Sequence, residues 1–319
     1  MDRFTIELCE IIHGLGERLP RIDTVKIFKS VLLKQMILLI HQLKKAAILH
    51  KHQYISIKHI LYVLKDYKVT LIRVLLYYYL KDIIKKLSKL GNTENSETRK
   101  INEELQDTFK NEIVGSITNV EDDLLQSDPA VALATIDFTK KDLSSDSKDL
   151  KCIFYKLRNT IVDLKLNINI TEEEIKKCNE ARVTRANDIS ILLSARGYEG
   201  FEICRRKSFH GSLGEKLLLQ VLEVLPWNIT LNSQVKDILL FLAKETIHSL
   251  IDRVFEKRRC KDNYDENNLS AIKKIKYRSI LVDEVTNVTM AVWKIPLQEI
   301  YYPYKEDDTI FDEQLIFDS

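Results

Sequence analysis

Few side chains in this 319-residue chain stand at the spacings that catalysis or metal binding requires. His50 and His52 are close in sequence, but two residues apart at a helix end they are not expected to face one site, so surface histidines are the reading. Glu172, Glu173 and Glu174 follow Thr171, and this is the capping box of a helix start, where the dipole favours acids. Cys9, Cys152, Cys178, Cys204 and Cys260 are scattered singly. Without a CxxC pair they support neither a zinc knuckle nor a disulfide framework. GxGxxG, GxxxxGK[ST] and HExxH are absent. The expectation is a chain that is not an enzyme and that takes no cofactor and no metal. Tyr77, Tyr78 and Tyr79 point in three directions around a helix, so two suit a core and the third is a candidate partner contact. Trp227 and Trp293 are expected to close a core.

Charge is the more informative chemistry. The net charge is +2, but residues 1–90 hold 17 Lys and Arg against 7 Asp and Glu, a net of +10, while the remainder is net −8. No acid lies between Thr24 and Lys65. Lys26, Lys29, Lys34, Lys44, Lys45, Lys51, Lys58 and Lys65 could touch DNA phosphates. They are spread along a helix, however, rather than gathered as arginines at loop ends. Residues 305–319 carry six acids and one base. Either the basic part seeks an acidic partner, or it faces the acidic part of its own molecule.

Helices must position all of this. With 8 Gly and 5 Pro the chain is poor in turn formers, which disfavours a turn-rich β fold. The most apolar stretch, 31–40, is broken by Lys34 and Gln35, so no membrane span is expected. No signal peptide is visible, and singly placed thiols fit a cytosolic or nuclear protein. The periodicity predicts a short helix from Phe4 to His13, then a long one from Val25 capped by Asp23 or Thr24. Its stripe runs through Phe28, Leu32, Met36, Leu39 and Leu43. A third helix follows Ser56, and a fourth covers 69–86. The same short–long–short plan returns near Ser208, with a long helix capped by Asn232 or Ser233. Its stripe is Ile238, Leu242, Thr246 and Leu250. Asp283 is expected to cap the closing helix, which runs through Val292 and Trp293.

Each long helix is apolar around most of its circumference and needs helices on both sides. The expected organisation is all-α: an N-terminal unit at 1–90 with an extra helix, a linker at 91–150 with weak helix near 103–113, helical connecting residues 151–207, a second unit at 208–295 and an acidic tail at 296–319. The linker is polar enough to be partly disordered and partly helical.

The plan of short helix, strap, long helix, strap, short helix resembles the histone fold. Phe4-x-x-Glu7-Leu8 with Leu15-Gly16 resembles the opening of the suppressor of Ty 3 family. Tyr198-x-x-Phe201-x-x-x-Arg205-x-x-Ser208-Phe209 is similar to that family's approach to its second histone fold. Ile238-Leu239-x-Phe241-Leu242-Ala243-Lys244-Glu245-Thr246 with Leu250 is similar to its second central helix. The likeness covers about 1–87 and 182–293. It implies an intramolecular pair of histone folds, a nuclear location and membership of the SAGA coactivator. The implied partners are the TATA-binding protein, which the pair delivers or restrains, and other SAGA core subunits including TATA-binding-protein-associated factors.

The resemblance also places the TATA-binding-protein contact on the second fold, with Glu245 at the family's acidic position and Lys244 and Asp237 beside it. Glu245 lies next to the buried stripe, so it either reaches the surface or pairs with a base of the first unit. Two departures stand out. Histone folds often join a strap Arg to an Asp three residues into the last helix, and here the first unit has Gln53 and His59. An aromatic is more usual where Lys244 stands. A DNA-binding histone-fold protein is the alternative reading.

Overall fold

The computed structural model describes residues 2–90, 133–140, 152–166, 168–225, 229–262 and 279–289. Its secondary structure is all helical among these residues. Asp2 accepts the Thr5 N–H at 2.6 Å and starts α1 (Arg3–Gly14). Gly16, at φ +108°, turns the chain in a conformation that disfavours any side chain. The long α2 (Ile22–Leu49) then begins three residues before the expected Val25, with Arg21 rather than Asp23 or Thr24 as its N-cap. Asp23 sits inside the first turn, where the helix dipole favours an acid. α3 (Ile57–Leu64) is capped by Ser56, as the sequence predicts, and α4 (Lys68–Leu90) follows.

The connecting residues form three helices, α5 (Ile153–Asp163), α6 (Glu172–Leu192) and α7 (Ala195–Arg206). At the start of α6, Thr171 and Glu174 exchange capping hydrogen bonds of 3.1 and 3.2 Å. The second unit is α8 (Gly211–Glu223), α9 (Ser233–Asp262) and α10 (Val282–Thr289). Asn232 caps α9 by accepting the Val235 N–H at 2.8 Å. Asp283 is not the cap of α10 but a first-turn residue. The Glu284 carboxylate instead reaches back to the Leu281 N–H at 2.9 Å.

The long α2 packs against α1 and α3 of its own unit and against α8, α9 and α10 of the other. One hydrophobic core therefore serves both units. Phe28, Leu32, Met36, Leu39 and Leu43 on α2, and Ile238, Leu242, Thr246 and Leu250 on α9, are all at most 1% exposed. All nine stripe positions are thus buried. The strap before α10 also joins the start of α2 and the strap before it. Thr24 donates its hydroxyl to the Ile280 carbonyl at 2.8 Å, and buried Glu17 accepts the Ile280 N–H at 3.2 Å. α5 packs on α3 and α4, α6 on α4, and α7 along α1.

One linker expectation changes. Within 91–150, residues 133–140 are described, and Leu133 and Phe138 are buried in the core. The weak helix at 103–113, Trp227, Trp293, and the acidic tail lie outside the described residues. The tyrosine run is also more internal than expected. Tyr78 is buried, Tyr77 packs on Phe241 with ring centroids 4.6 Å apart, and Tyr79 packs on Phe154 at 5.2 Å. The third tyrosine contacts its own chain rather than standing free for a partner.

Candidate functional site

The polar face of α9 carries Lys244, Glu245, His248 and Asp252, one and two turns apart. The residues that meet them come from α4, α6 and α7. Arg182 donates Nη1 to both Glu245 oxygens, at 2.8 and 3.1 Å, and Nε to Asp252 Oδ2 at 2.7 Å. Arg185 reaches Asp252 Oδ1 at 2.6 Å. From α4, Arg73 approaches Glu245 Oε2 at 3.4 Å and donates Nη2 to the Cys178 carbonyl at 2.5 Å. Charge-assisted, two-pronged contacts of this kind fix orientation as well as energy.

Burial and charge compete in this network. Burial alone would raise the Glu245 and Asp252 carboxyls, but the guanidiniums outweigh it and hold both below their usual range. For Glu245 these are Arg182 and Arg73; for Asp252, Arg182 leads, with Arg185 and Arg73 adding. Both acids are therefore ionised at neutral pH. Burial pushes His248 well below 6.5, so it is neutral.

Lys244 does a separate job. Its Nζ donates to the Lys207 carbonyl at 2.6 Å and the Arg205 carbonyl at 3.4 Å, closing the C-terminal end of α7. Burial pushes this ammonium down to about 7. Adjacent residues on α9 thus hold two connecting helices, Lys244 taking α7 and Glu245 taking α6. A phenylalanine at Lys244 would offer no donor to those carbonyls.

These positions correct one expectation. Glu245 and Lys244 are each 5% exposed, so neither carboxylate nor ammonium reaches the surface. Glu245 instead pairs with Arg73 of the first unit, as the second reading held, and with Arg182 of the connecting region. Asp237 is half-buried, within electrostatic range of Tyr77 and His210.

A second constellation closes the other end of α9. Arg258 donates Nε and Nη2 to Glu284 at 2.9 and 2.8 Å and Nη2 to the Ser279 carbonyl at 3.1 Å. The Phe255 ring lies between the guanidiniums of Arg185 and Arg258, at 5.1 and 5.3 Å. In the first unit His59 takes the corresponding place. It is fully buried, and its Nδ1 accepts the Ser56 N–H at 3.0 Å. His50 and His52 both pack on His59, with ring centroids 5.6 and 5.2 Å away. The strap folds back on α3, so the two histidines do converge, contrary to their helical spacing. No group of three or more His, Cys, Asp or Glu among the described residues could hold a metal ion.

The buried arginines escape a search for apolar periodicity because they count as polar. A signal did exist: Glu245 and Asp252 are seven residues apart on α9, and Arg182 and Arg185 three apart on α6. Both spacings put like charges on one helix face. No protein-family model, curated protein or solved structure matches this chain.

Proposed function

We propose that the chain is a non-enzymatic subunit of a SAGA-type nuclear coactivator, built on an intramolecular pair of histone folds and binding the TATA-binding protein. The observation that carries the pairing is α2 seated among α8, α9 and α10, with the strap of one unit hydrogen-bonded to that of the other. The suppressor of Ty 3 resemblance supplies the complex and the partner. In this reading Glu245 and Lys244 support the partner surface from below by fixing α6 and α7, and half-buried Asp237 is the nearest of the three to solvent. The connecting helices then belong to the rigid body that the coactivator recognises.

The test is affinity purification of the tagged full chain with peptide identification. Co-purification of coactivator subunits and the TATA-binding protein supports the proposal. Their absence from an otherwise soluble, folded bait overturns it. The second reading is DNA binding, favoured by exposed Lys26, Lys45, Lys51 and Lys65 in a stretch without acids. Gel shifts at several salt concentrations separate the two, since tight binding by the isolated chain with a steep salt slope favours DNA.

A further inference from the structure

The end of α2, the strap after it and the rim of α3 form an edge with an unusual mixture of groups. Ile48 and Leu49 are each 64% exposed and Tyr54 58%. Lys45, Lys51 and Lys65 are exposed around them, and Lys44 and Lys58 half-buried. Among the described residues, Lys44, Lys45, Lys51 and Lys58 have no acidic partner, and Lys65 lies over the Tyr62 ring at 4.2 Å. The edge is also held in shape. Lys51 adopts φ 57°, and the His52 N–H closes on the Ala47 carbonyl at 2.8 Å. Unpaired ammoniums beside exposed apolar side chains fit a partner that is acidic and apolar at once.

We propose that this edge is the docking surface for residues 305–319 of the same chain. That segment holds Glu306, Asp307, Asp308, Asp312, Glu313 and Asp318 against a single base, Lys305. Ile310, Phe311, Leu315, Ile316 and Phe317 are interleaved with the acids. Each class of group on the edge has its complement there. The reach is sufficient. α10 ends at Thr289 and packs on α2, whose Thr24 end is bonded to Ile280. From Thr24 to Leu49 the helix runs about 38 Å at 1.5 Å per residue. Residues 290–304 extended span about 50 Å. A docked tail covers the uncompensated lysines and competes with any other acidic ligand, nucleic acid included, for the same edge.

The experiment uses the full chain with Tyr54 replaced by photoreactive benzoylphenylalanine, and separately with Ile48 so replaced. Irradiation at low salt followed by peptide mapping is expected to give a crosslink within one chain to 305–319. The companion variant combines Glu306→Gln, Asp307→Asn, Asp308→Asn, Asp312→Asn and Glu313→Gln. It should lower the crosslink yield about fivefold or more, as should about 1 M salt. The same variant should bind duplex DNA about tenfold more tightly, because the competitor is gone. The proposal is overturned by crosslinks that join two copies or map elsewhere, by a yield indifferent to the neutral tail, or by capture of added DNA with no tail crosslink. It is equally overturned if neither photoreactive position captures the tail in a chain whose circular dichroism is native.

Discussion

Replacing Glu245 with lysine should break the fold rather than trim a surface. The carboxylate is 5% exposed and carries two bonds from Arg182 and one from Arg73. Removing one partner of a buried pair costs about 3–5 kcal/mol, since the other charges stay behind unpaired. Reversal adds a cation between two guanidiniums and beside Lys244. A loss of about 5 kcal/mol or more is the expectation, set against a typical total of about 5–15 kcal/mol. At about 2–4 °C per kcal/mol for a chain of this size class, Tm should fall by about 10 °C or more, or the protein should be insoluble. Glu245→Gln keeps the shape and one acceptor, and should lose about half as much. Thermal melting followed by circular dichroism reads both variants, and a cycle with Arg182→Gln should give a coupling of about 1–3 kcal/mol. An unchanged Tm in Glu245→Lys would refute the buried network. Weakened partner binding in that variant is then a consequence of α6 coming loose.

Leu242→Asp should unfold the second unit, because a fully buried, unpaired carboxylate costs several kcal/mol; an unchanged melt would show the stripe to be misphased. Arg258→Ala strands Glu284 next to buried Glu17, so stability should fall by about 3 kcal/mol and the Ile280 amide should exchange faster with solvent. Stability should also fall on acidification from pH 6.5 towards 4. Burial, then His52, His50 and Lys58, depress His59 to about 4, so the unfolded chain takes up a proton in that window and the folded chain does not. Urea midpoints should be lower at pH 5 than at pH 7, and His59→Asn, which keeps an acceptor for the Ser56 N–H, should shrink the difference. Equal midpoints at the two pH values would contradict the buried neutral imidazole.

What was legible in the sequence was apolar and local. Both long stripes fell where expected because eight of their nine residues are apolar and recur with the helix period. Ser56, Thr171 and Asn232 cap helices because short polar side chains before an apolar run have few other uses. The site was less legible. The buried face of α6 is Ile175, Arg182, Arg185 and Ile189, a helical stripe in which half the members are charged. Two apolar members in fifteen residues leave no apolar period to detect. The fate of Glu245 was undecidable locally, since a position beside the stripe is covered or bare according to what packs there. The partner is an arginine 63 residues away. His50 and His52 were judged by helical spacing, whereas a strap sets their geometry.

The bond between Thr24 and Ile280 joins residues 256 positions apart. During synthesis, at about 5–20 residues per second, the first must wait roughly 13–50 s for the second. For that interval the apolar face of α2 that α8, α9 and α10 will cover has no lid, and a nascent chain in that state is an aggregation hazard. The tether then turns a search between two proteins into a search within one, at an effective concentration set by the intervening chain rather than by cellular abundance. Two halves made as separate polypeptides would be exposed for longer and free to choose other partners. One reading frame gives each half a single partner in fixed proportion.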